Sequence, residues 1–359
     1  MTDEQAFPPP QPQPALPKYP ASDAPAPGQI PPAPPGPSTT LGAAHKPGSV
    51  PLRPLNLGDI YDAAFRIIRF NPKATVGPAV LVASVAMLIP VAISAVVTVT
   101  MGATLSETGE FGGPGATDSE MVGSIVAFGS VVGGAFLLQI GLIFVTGMVA
   151  HVANAAAIGR RLTLGEAWAA TRGKRWKLLG LVVVMGMAAA LAVGIYIAAW
   201  AVVVAVSGSG VIPVLWGLVT VPAFIAGMFW FWVRVYSLPP AVLMLEPVGV
   251  FGAIRRGYRL THRQFWRIFG IALLTLLITT IAGAILSIPV TIGGELASSA
   301  VPDYELLGFA ITQAVSSVLS SAFVAPFAAS VTTLLYIDQR IRKEAFDVEL
   351  MARAGITTS

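Results

Sequence analysis

Residues 178–206 read LLGLVVVMGMAAALAVGIYIAAWAVVVAV, a run of 29 residues that contains no Asp, Glu, Lys or Arg. As an α-helix this run extends ~43 Å at ~1.5 Å per residue, which exceeds the ~30 Å of a bilayer hydrocarbon core. A helix inside a soluble protein rarely stays apolar over that length. We therefore interpret the run as a membrane-spanning helix, and it decides the fold class.

Five further runs share these properties, so the chain is predicted to cross the membrane six times as an all-α transmembrane protein. The composition agrees, because 11% of residues are charged against roughly 25% in soluble domains. Every run contains the small residues Gly and Ala, and four of the six also contain Ser, which permits close helix–helix approach. The other runs are Ala74–Met101, Val122–Ala150, Val211–Val233, Ile268–Ile292 and Leu306–Ile337.

The charges predict the orientation of these helices. Apart from Lys18, all Lys and Arg residues lie before the first run, after the sixth, or in the connections that follow runs two and four. The remaining connections hold seven acidic residues and no basic ones. By the positive-inside rule, both termini are predicted to face the cytoplasm, with three hairpins directed outward. The frequent Ala, Gly and Pro favour a bacterial cytoplasmic membrane.

The N-terminal segment differs from the rest of the chain. Residues 1–50 are rich in Pro and poor in large apolar side chains, so we predict a disordered tail with polyproline character. A solvated tether and a docking tail for a proline-binding partner are both open interpretations. Residues 51–346 are then the six-span membrane domain, and residues 347–359 a cytoplasmic C-terminal tail.

The basic stretches before runs one, three and five resemble one another. Leu57–Arg66 places apolar residues on one helical stripe, and Thr163-x-x-Glu166 is a capping box that predicts a helix start. Val250–Arg259 repeats the pattern of aromatic and arginine residues. We predict a six-helix bundle of three tandem units, each an interfacial amphipathic helix plus a transmembrane hairpin. Ordinary linkers with snorkelling side chains are the alternative.

Aromatic and arginine side chains in these stretches suit a helix that lies among lipid headgroups. An unbroken helix through residues 255–267 would gather five arginines on one arc of roughly 120°, unless Gly257 interrupts it. We therefore expect contacts with the bilayer and with anionic phospholipid headgroups. The lipid-interface candidates are Tyr61, Phe65, Arg66, Trp168, Arg255, Tyr258, Arg259, Arg263 and Trp266.

Three segments carry a resemblance to a known family: Pro51–Asp59, Ala253–Arg267 and Leu335–Glu344. They resemble the bacterial proteins called glycerophosphoryl diester phosphodiesterase membrane-domain-like, over about residues 50 to 350. Some members of that family are fused to a catalytic barrel, but no soluble stretch here is long enough to hold one. The resemblance thus implies the membrane module without the enzyme.

No residue pattern predicts catalysis, a metal site or a cofactor. The chain has no Cys, and its three histidines are scattered and lie outside any known catalytic motif. His151, with Asn154 nearby, is interpreted as a hydrogen-bonded helix contact. Nucleic-acid binding is not expected, because the basic residues follow the membrane topology.

Three functions are compatible with these features. The first is a non-enzymatic membrane module that assembles with other membrane or envelope proteins and touches anionic lipid. The second is a transporter of lipid or a small amphiphile, and the third an accessory domain for glycerophosphodiester metabolism. A buried polar groove would favour transport, whereas a packed bundle with an exposed apolar seam would favour assembly.

Overall fold

The structure, a computed structural model, describes residues 48, 50–51, 53–101, 118–208, 210–301 and 304–353. The predicted disordered tail, residues 1–50, lies outside this description except at positions 48 and 50. The described residues contain helices and no strands. The helices are α1 (Leu57–Phe70), α2 (Pro72–Met101), α3 (Asp118–Ala157), α4 (Leu164–Ala170), α5 (Arg175–Ser207), α6 (Val211–Phe231), α7 (Pro239–Leu245), α8 (Val250–Thr261), α9 (Phe265–Ala300), α10 (Glu305–Glu344) and α11 (Phe346–Arg353).

Six of these helices, α2, α3, α5, α6, α9 and α10, are long and apolar enough to cross a membrane. Five of them contain a predicted run in full, and α6 contains all of Val211–Val233 except its last two residues, so the all-α class and the six candidate spans are confirmed. The fourth apolar segment continues beyond α6 through a π-helical turn, Trp232–Tyr236, into α7. The helices are those of a multi-pass membrane protein, in which backbone polar groups are satisfied within each helix.

Four of the long helices, α2, α3, α9 and α10, pack together, and α10 contacts the other three as well as α1. Glycines allow the close approach. A Cβ atom at Gly141 of α3 would lie 2.1 Å from Val82 Cγ1 of α2, and one at Gly294 of α9 would lie 2.0 Å from Thr312 Oγ1 of α10. We call α2, α3, α9 and α10 the packed bundle.

The second hairpin, α5 and α6, is packed more sparsely than the bundle. Tyr196 of α5 stacks on Phe224 of α6 with ring centroids 4.1 Å apart. Leu218 and Val219, which point in directions about 100° apart on a helix, are 72% and 70% exposed. Lipid or another protein must therefore cover most of the surface of α6.

The shorter helices and the described Lys and Arg residues gather at one end of the long helices, which we call the basic end. There α1, α4 and α8 precede the three hairpins in the predicted order, with 14, 7 and 12 residues. The capping box of α4 is confirmed, because Thr163 N donates to Glu166 Oε2 and Glu166 N donates to Thr163 Oγ1. The three-unit organisation itself stays a prediction.

The first and last described residues pack at the basic end as well. Val50 is fully buried, which places the first described residues against the core. Residues 347–353, the beginning of the predicted C-terminal tail, belong to helix α11. Phe346 and Leu350 of this helix are buried. Arg340 of α10 lies over the ring of Phe346, 3.7 Å from its centroid.

Candidate lipid-binding interface

Helices α8 and α9 are separated by a turn at residues 262–264. We call this turn, together with α8 and the first residues of α9 (residues 250–267), the elbow. Arg263 in this turn has φ +65°, a left-handed conformation that non-glycine residues rarely adopt. The expectation of an unbroken helix through residues 255–267 is therefore wrong. Gly257 does not cause the break, since it remains helical and packs so tightly that a Cβ atom would lie 2.9 Å from Pro239 Cγ.

The end of α10 holds the elbow in place. Lys343 Nζ donates to the backbone oxygens of Arg259, Leu260 and His262 at 3.0, 2.8 and 2.8 Å. The last carbonyls of a helix have no partner within the helix, and a cation there also interacts favourably with the helix dipole. Lys343 thus caps α8 and uses all three of its N–H groups to do so.

The five arginines near the elbow fall into two groups. Arg256 and Arg267 are partly buried and form ion pairs inside the protein. Arg255, Arg259 and Arg263 are exposed, and none of them forms an ion pair with a described carboxylate. All three are among the lipid-interface candidates predicted from the sequence, although the break in the helix separates Arg263 from the other two.

Arg256 belongs to a network that joins α8 to the end of α10. Its guanidinium lies 3.1 Å from Glu246 and 2.7 Å from Glu344. Arg340 also pairs with Glu344, and the hydroxyl of Tyr336 donates to Glu246 at 2.8 Å. Burial opposes the charged form of Arg256, but the two carboxylates outweigh that effect and raise its pKa. Glu246 and Glu344 are both paired within the protein, so we interpret this network as structural.

A second internal cluster surrounds Asp338, which is fully buried in α10. Its carboxylate accepts hydrogen bonds from Leu55 N at 2.8 Å, from Arg342 Nε at 2.9 Å, and from Arg267 Nη1. Both arginines also donate to Leu55 O. We call this cluster the Leu55 clamp, because it holds both polar groups of one peptide segment against α9 and α10.

Exposed aromatic side chains flank the exposed arginines of the elbow. Trp266 is 78% exposed and Phe251 is 75% exposed, while Tyr258 is 41% exposed. Large aromatic side chains favour the boundary between headgroups and acyl chains. The elbow therefore combines unpaired cations with apolar surface, as expected of an interfacial segment.

A smaller group of the same kind lies at the start of α5. The guanidinium of Arg175 stacks 3.5 Å above the ring of Trp168, the candidate from the second basic stretch. Sequence reasoning did not select Trp176, although it is 82% exposed. Its place between Arg175 and Lys177, just before an apolar run, is the signal that identifies it.

The candidates from α1 are placed differently. Tyr61 is half-buried, stacks on Phe327 of α10 and donates from its hydroxyl to a backbone oxygen of α9 at 2.9 Å. Burial raises the pKa of Tyr61, although a hydrogen bond with a threonine opposes this. Phe65 packs against Phe327 on one side, with a centroid distance of 5.0 Å, and Arg66 pairs with Asp62. Tyr61 and Phe65 thus join α1 to the bundle, whereas the ion pair of Arg66 lies within α1.

A cavity of about 250 Å³ lies between α3, α5, the π-helical turn, α9 and α10. The hydroxyls of four lining residues donate to backbone oxygens of their own helices, so the walls present few free polar groups. The cavity is thus suited to an apolar chain and not to a polar solute. Lining residues with hydroxyls are Thr146, Ser237, Thr275, Thr279 and Thr332.

His151, the histidine inside a long helix, lines an open cleft with Asn154, Arg160 and Glu166 at the end of α3. Its Nε2 atom is buried and has no hydrogen-bond partner among the described residues. That nitrogen therefore does not make the hydrogen-bonded helix contact expected from the sequence. The described residues also contain no group of three or more His, Asp and Glu arranged to hold a metal ion.

Comparison with family models, with curated proteins and with solved structures finds no match for this chain. The resemblance stated from the sequence therefore stays a prediction.

Proposed function

We propose that this protein is a non-enzymatic module of the bacterial cytoplasmic membrane that binds anionic phospholipid headgroups at the elbow and assembles with other membrane proteins. The observation that carries the lipid-binding part is the group of three exposed arginines, Arg255, Arg259 and Arg263, beside the exposed rings of Phe251 and Trp266. Neighbouring arginines in the same stretch are ion-paired internally, whereas these three are free for an outside partner.

The expected energy is moderate. A basic side chain near an anionic membrane surface contributes roughly 1 kcal/mol, and this attraction falls off within about one Debye length. Three arginines therefore supply a preference for anionic over zwitterionic lipid, but one that high salt weakens. The exposed aromatic rings add an apolar contribution that salt does not screen.

The test compares lipids that co-purify with wild-type protein and with the triple variant Arg255→Gln, Arg259→Gln, Arg263→Gln. We expect the variant to lose anionic phospholipid, measured by native mass spectrometry in mild detergent, while Arg256 and Arg267 keep the fold. A matched control is the triple variant Arg69→Gln, Lys73→Gln, Arg172→Gln, which removes the same charge from exposed positions elsewhere at the basic end.

The control variant should lose less anionic lipid than the elbow variant. Equal losses from the two variants would mean that total charge, and not the elbow, attracts the lipid. If wild-type protein retains anionic and zwitterionic lipids equally, the proposed lipid-binding function is wrong.

The proposal requires the basic end to face the cytoplasm, which cysteine labelling tests. The chain has no natural Cys, so single substitutions report cleanly. Gly210 and Gly165 are exposed at opposite ends of the long helices. On intact cells an impermeant maleimide should label Gly210→Cys, and it should label Gly165→Cys only after lysis. The reverse labelling pattern would show that the topology is opposite to the predicted one.

Assembly with membrane-protein partners is supported by the sparse packing of α5 and α6. We expect a photo-crosslinking residue at Leu218 of α6, which is 72% exposed, to form protein adducts in cells. The same residue at Leu277 of α9, which is 54% exposed, serves as the control and should give lipid adducts. Lipid adducts alone at both positions would remove the support for assembly.

The cavity of about 250 Å³ favours a second candidate function, the handling of a lipid or small amphiphile. Four of its lining hydroxyls already donate to backbone oxygens, so the cavity suits an acyl chain better than a polar solute. The accessory role in glycerophosphodiester metabolism has no support here beyond the resemblance.

A further inference from the structure

Arg234 occupies an unusual place in the fourth apolar segment. Val211–Leu245 comprises 35 residues, and Arg234 is its single charged residue. It lies on the π-helical turn Trp232–Tyr236, and such turns occur frequently at functional sites. An ionisable residue within a membrane segment requires a partner, because an uncompensated charge there is unfavourable.

The described residues do not supply that partner. Nε and Nη1 of Arg234 are buried and have no hydrogen-bond acceptor. The guanidinium lies 5.2 Å from the ring centroid of Tyr258 and 5.8 Å from that of Phe265. The faces of aromatic rings attract a cation and restrict its position, but they do not accept strong hydrogen bonds or neutralise its charge.

The surroundings of Arg234 are cationic. Lys343 lies within electrostatic range of both Arg234 and Arg263, and its own N–H groups are all used to cap α8. The carboxylates of Glu246, Glu344 and Glu349 at this end of α10 pair with Arg256 and Arg340, and Glu344 also lies within electrostatic range of Lys343. Three positive groups therefore meet where the described residues leave no acidic group free.

We propose that Arg234 is the centre of a phosphate-binding site at the inner membrane boundary, with Arg263 and Lys343 adding positive potential. A phosphate accepts hydrogen bonds from the planar guanidinium fork and matches its geometry better than it matches an ammonium group. The phosphate comes from the headgroup of an anionic phospholipid or from a soluble phosphate ester. If the phosphate belongs to a phospholipid, the site is part of the proposed function and rests on it. A site for a soluble phosphate ester does not depend on the proposed function.

Three variants test the site. Arg234→Met replaces the buried guanidinium by an apolar side chain of similar length, and Arg234→Lys keeps the charge without the fork. Arg69→Met is the matched control, because Arg69 is exposed on α1 and lacks an ion pair among the described residues. Each protein is prepared in phospholipid-free detergent, and its melting temperature is measured alone, with phosphatidylglycerol, with phosphatidylcholine, and with inorganic phosphate.

Wild-type protein should melt at a higher temperature when phosphatidylglycerol is added, and phosphatidylcholine should have little effect. Arg234→Met should melt above wild type without ligand, because it lacks the unsatisfied buried cation, and should lose the rise with phosphatidylglycerol. Arg234→Lys should retain only part of that rise, and Arg69→Met should retain nearly all of it. Native mass spectra of the phosphatidylglycerol samples should show one fewer retained phospholipid per chain for Arg234→Met.

The outcomes separate the site from the wider function. A rise with inorganic phosphate that Arg234→Met abolishes, without one for phosphatidylglycerol, supports the site and assigns it a soluble phosphate. If wild type and Arg234→Met respond equally to both anions, the site is refuted. In that case a loss of anionic lipid in the elbow triple variant would still support the proposed function.

Discussion

The hairpins α9–α10 and α5–α6 are both made of long apolar helices, yet they pack in opposite ways. In the apolar part of α10, half of the residues are buried, against 11% in the segment that contains α6. Small residues do not explain the difference by themselves. Helix α5 exposes Gly186, Ala190, Gly194 and Ala198 at intervals of four residues, a spacing that elsewhere permits close helix packing.

The difference lies in what the basic end provides. Within the packed bundle, the hairpin α9–α10 is held by polar contacts that join distant parts of the chain, namely the Leu55 clamp, the network around Glu246 and the cap formed by Lys343. At the basic end α5 has a contact of this type from Lys174, which precedes it and donates to two backbone oxygens at the end of α7, both at 2.8 Å. Further from that end, α5 and α6 depend chiefly on each other. Directional polar contacts therefore set the positions of α9 and α10 more firmly than those of α5 and α6.

The largest contrast between the two regions is expected from Asp338→Ala. Asp338 is fully buried between Arg267 and Arg342, so its loss leaves two partly buried cations without their anion. We expect destabilisation by roughly 3–5 kcal/mol, as found when one partner of a buried ion pair is removed. Unfolding in mixed micelles, followed by circular dichroism, measures the change.

Glu166→Ala is the matched control in the second unit. Glu166 also accepts a hydrogen bond from a backbone N–H, that of Thr163, at 2.7 Å, but it is solvent-exposed. We expect a much smaller effect. Similar losses from the two variants would contradict the view that polar contacts hold the bundle more firmly than the second hairpin.

A second contrast uses glycine positions in the two hairpins. At Gly294 of α9 a Cβ atom would lie 2.0 Å from Thr312 Oγ1, whereas at Gly194 of α5 no atom lies within 4 Å. Gly294→Leu should destabilise the protein by about 1–3 kcal/mol through overpacking, and Gly194→Leu should be tolerated. The same unfolding assay applies. Intolerance of leucine at position 194 would show that a protein neighbour already covers that face.

The smallest contrast concerns one hydroxyl group in each region. Tyr61 donates to Ile271 O at 2.9 Å and joins α1 to α9, while the Tyr196 hydroxyl lies 3.2 Å from Thr220 Oγ1 between α5 and α6. Tyr61→Phe should lower the stability by about 1 kcal/mol, the usual value of one hydrogen bond. Tyr196→Phe should have less effect, because Thr220 also bonds its own helix at 2.8 Å. An equal or larger loss from Tyr196→Phe would contradict this ranking.

The six helices could be predicted from the sequence because each apolar run is a local pattern. The clamp could not, since Asp338 and Leu55 are 283 positions apart and Leu55 contributes only backbone atoms. Arg267 looked like its neighbours in the third basic stretch, and only the fold separates it from the exposed Arg263. The sequence pattern placed Arg234 in the basic connection after run four, and its unpaired nitrogens depend on the π-helical turn, which no periodicity indicated.

The Leu55 clamp also has a consequence for biosynthesis. The ribosome makes Leu55 near the beginning of the chain, and domains made from the N-terminus onward fold as units during synthesis. Asp338 and Arg342 lie near the end of α10, so they are translated only after almost all of that last long helix. The segment around Leu55 therefore cannot reach its final position until synthesis is nearly complete. A chain truncated before α10 should insert its early helices yet leave this segment open to proteases, so the clamp distinguishes finished molecules from unfinished ones.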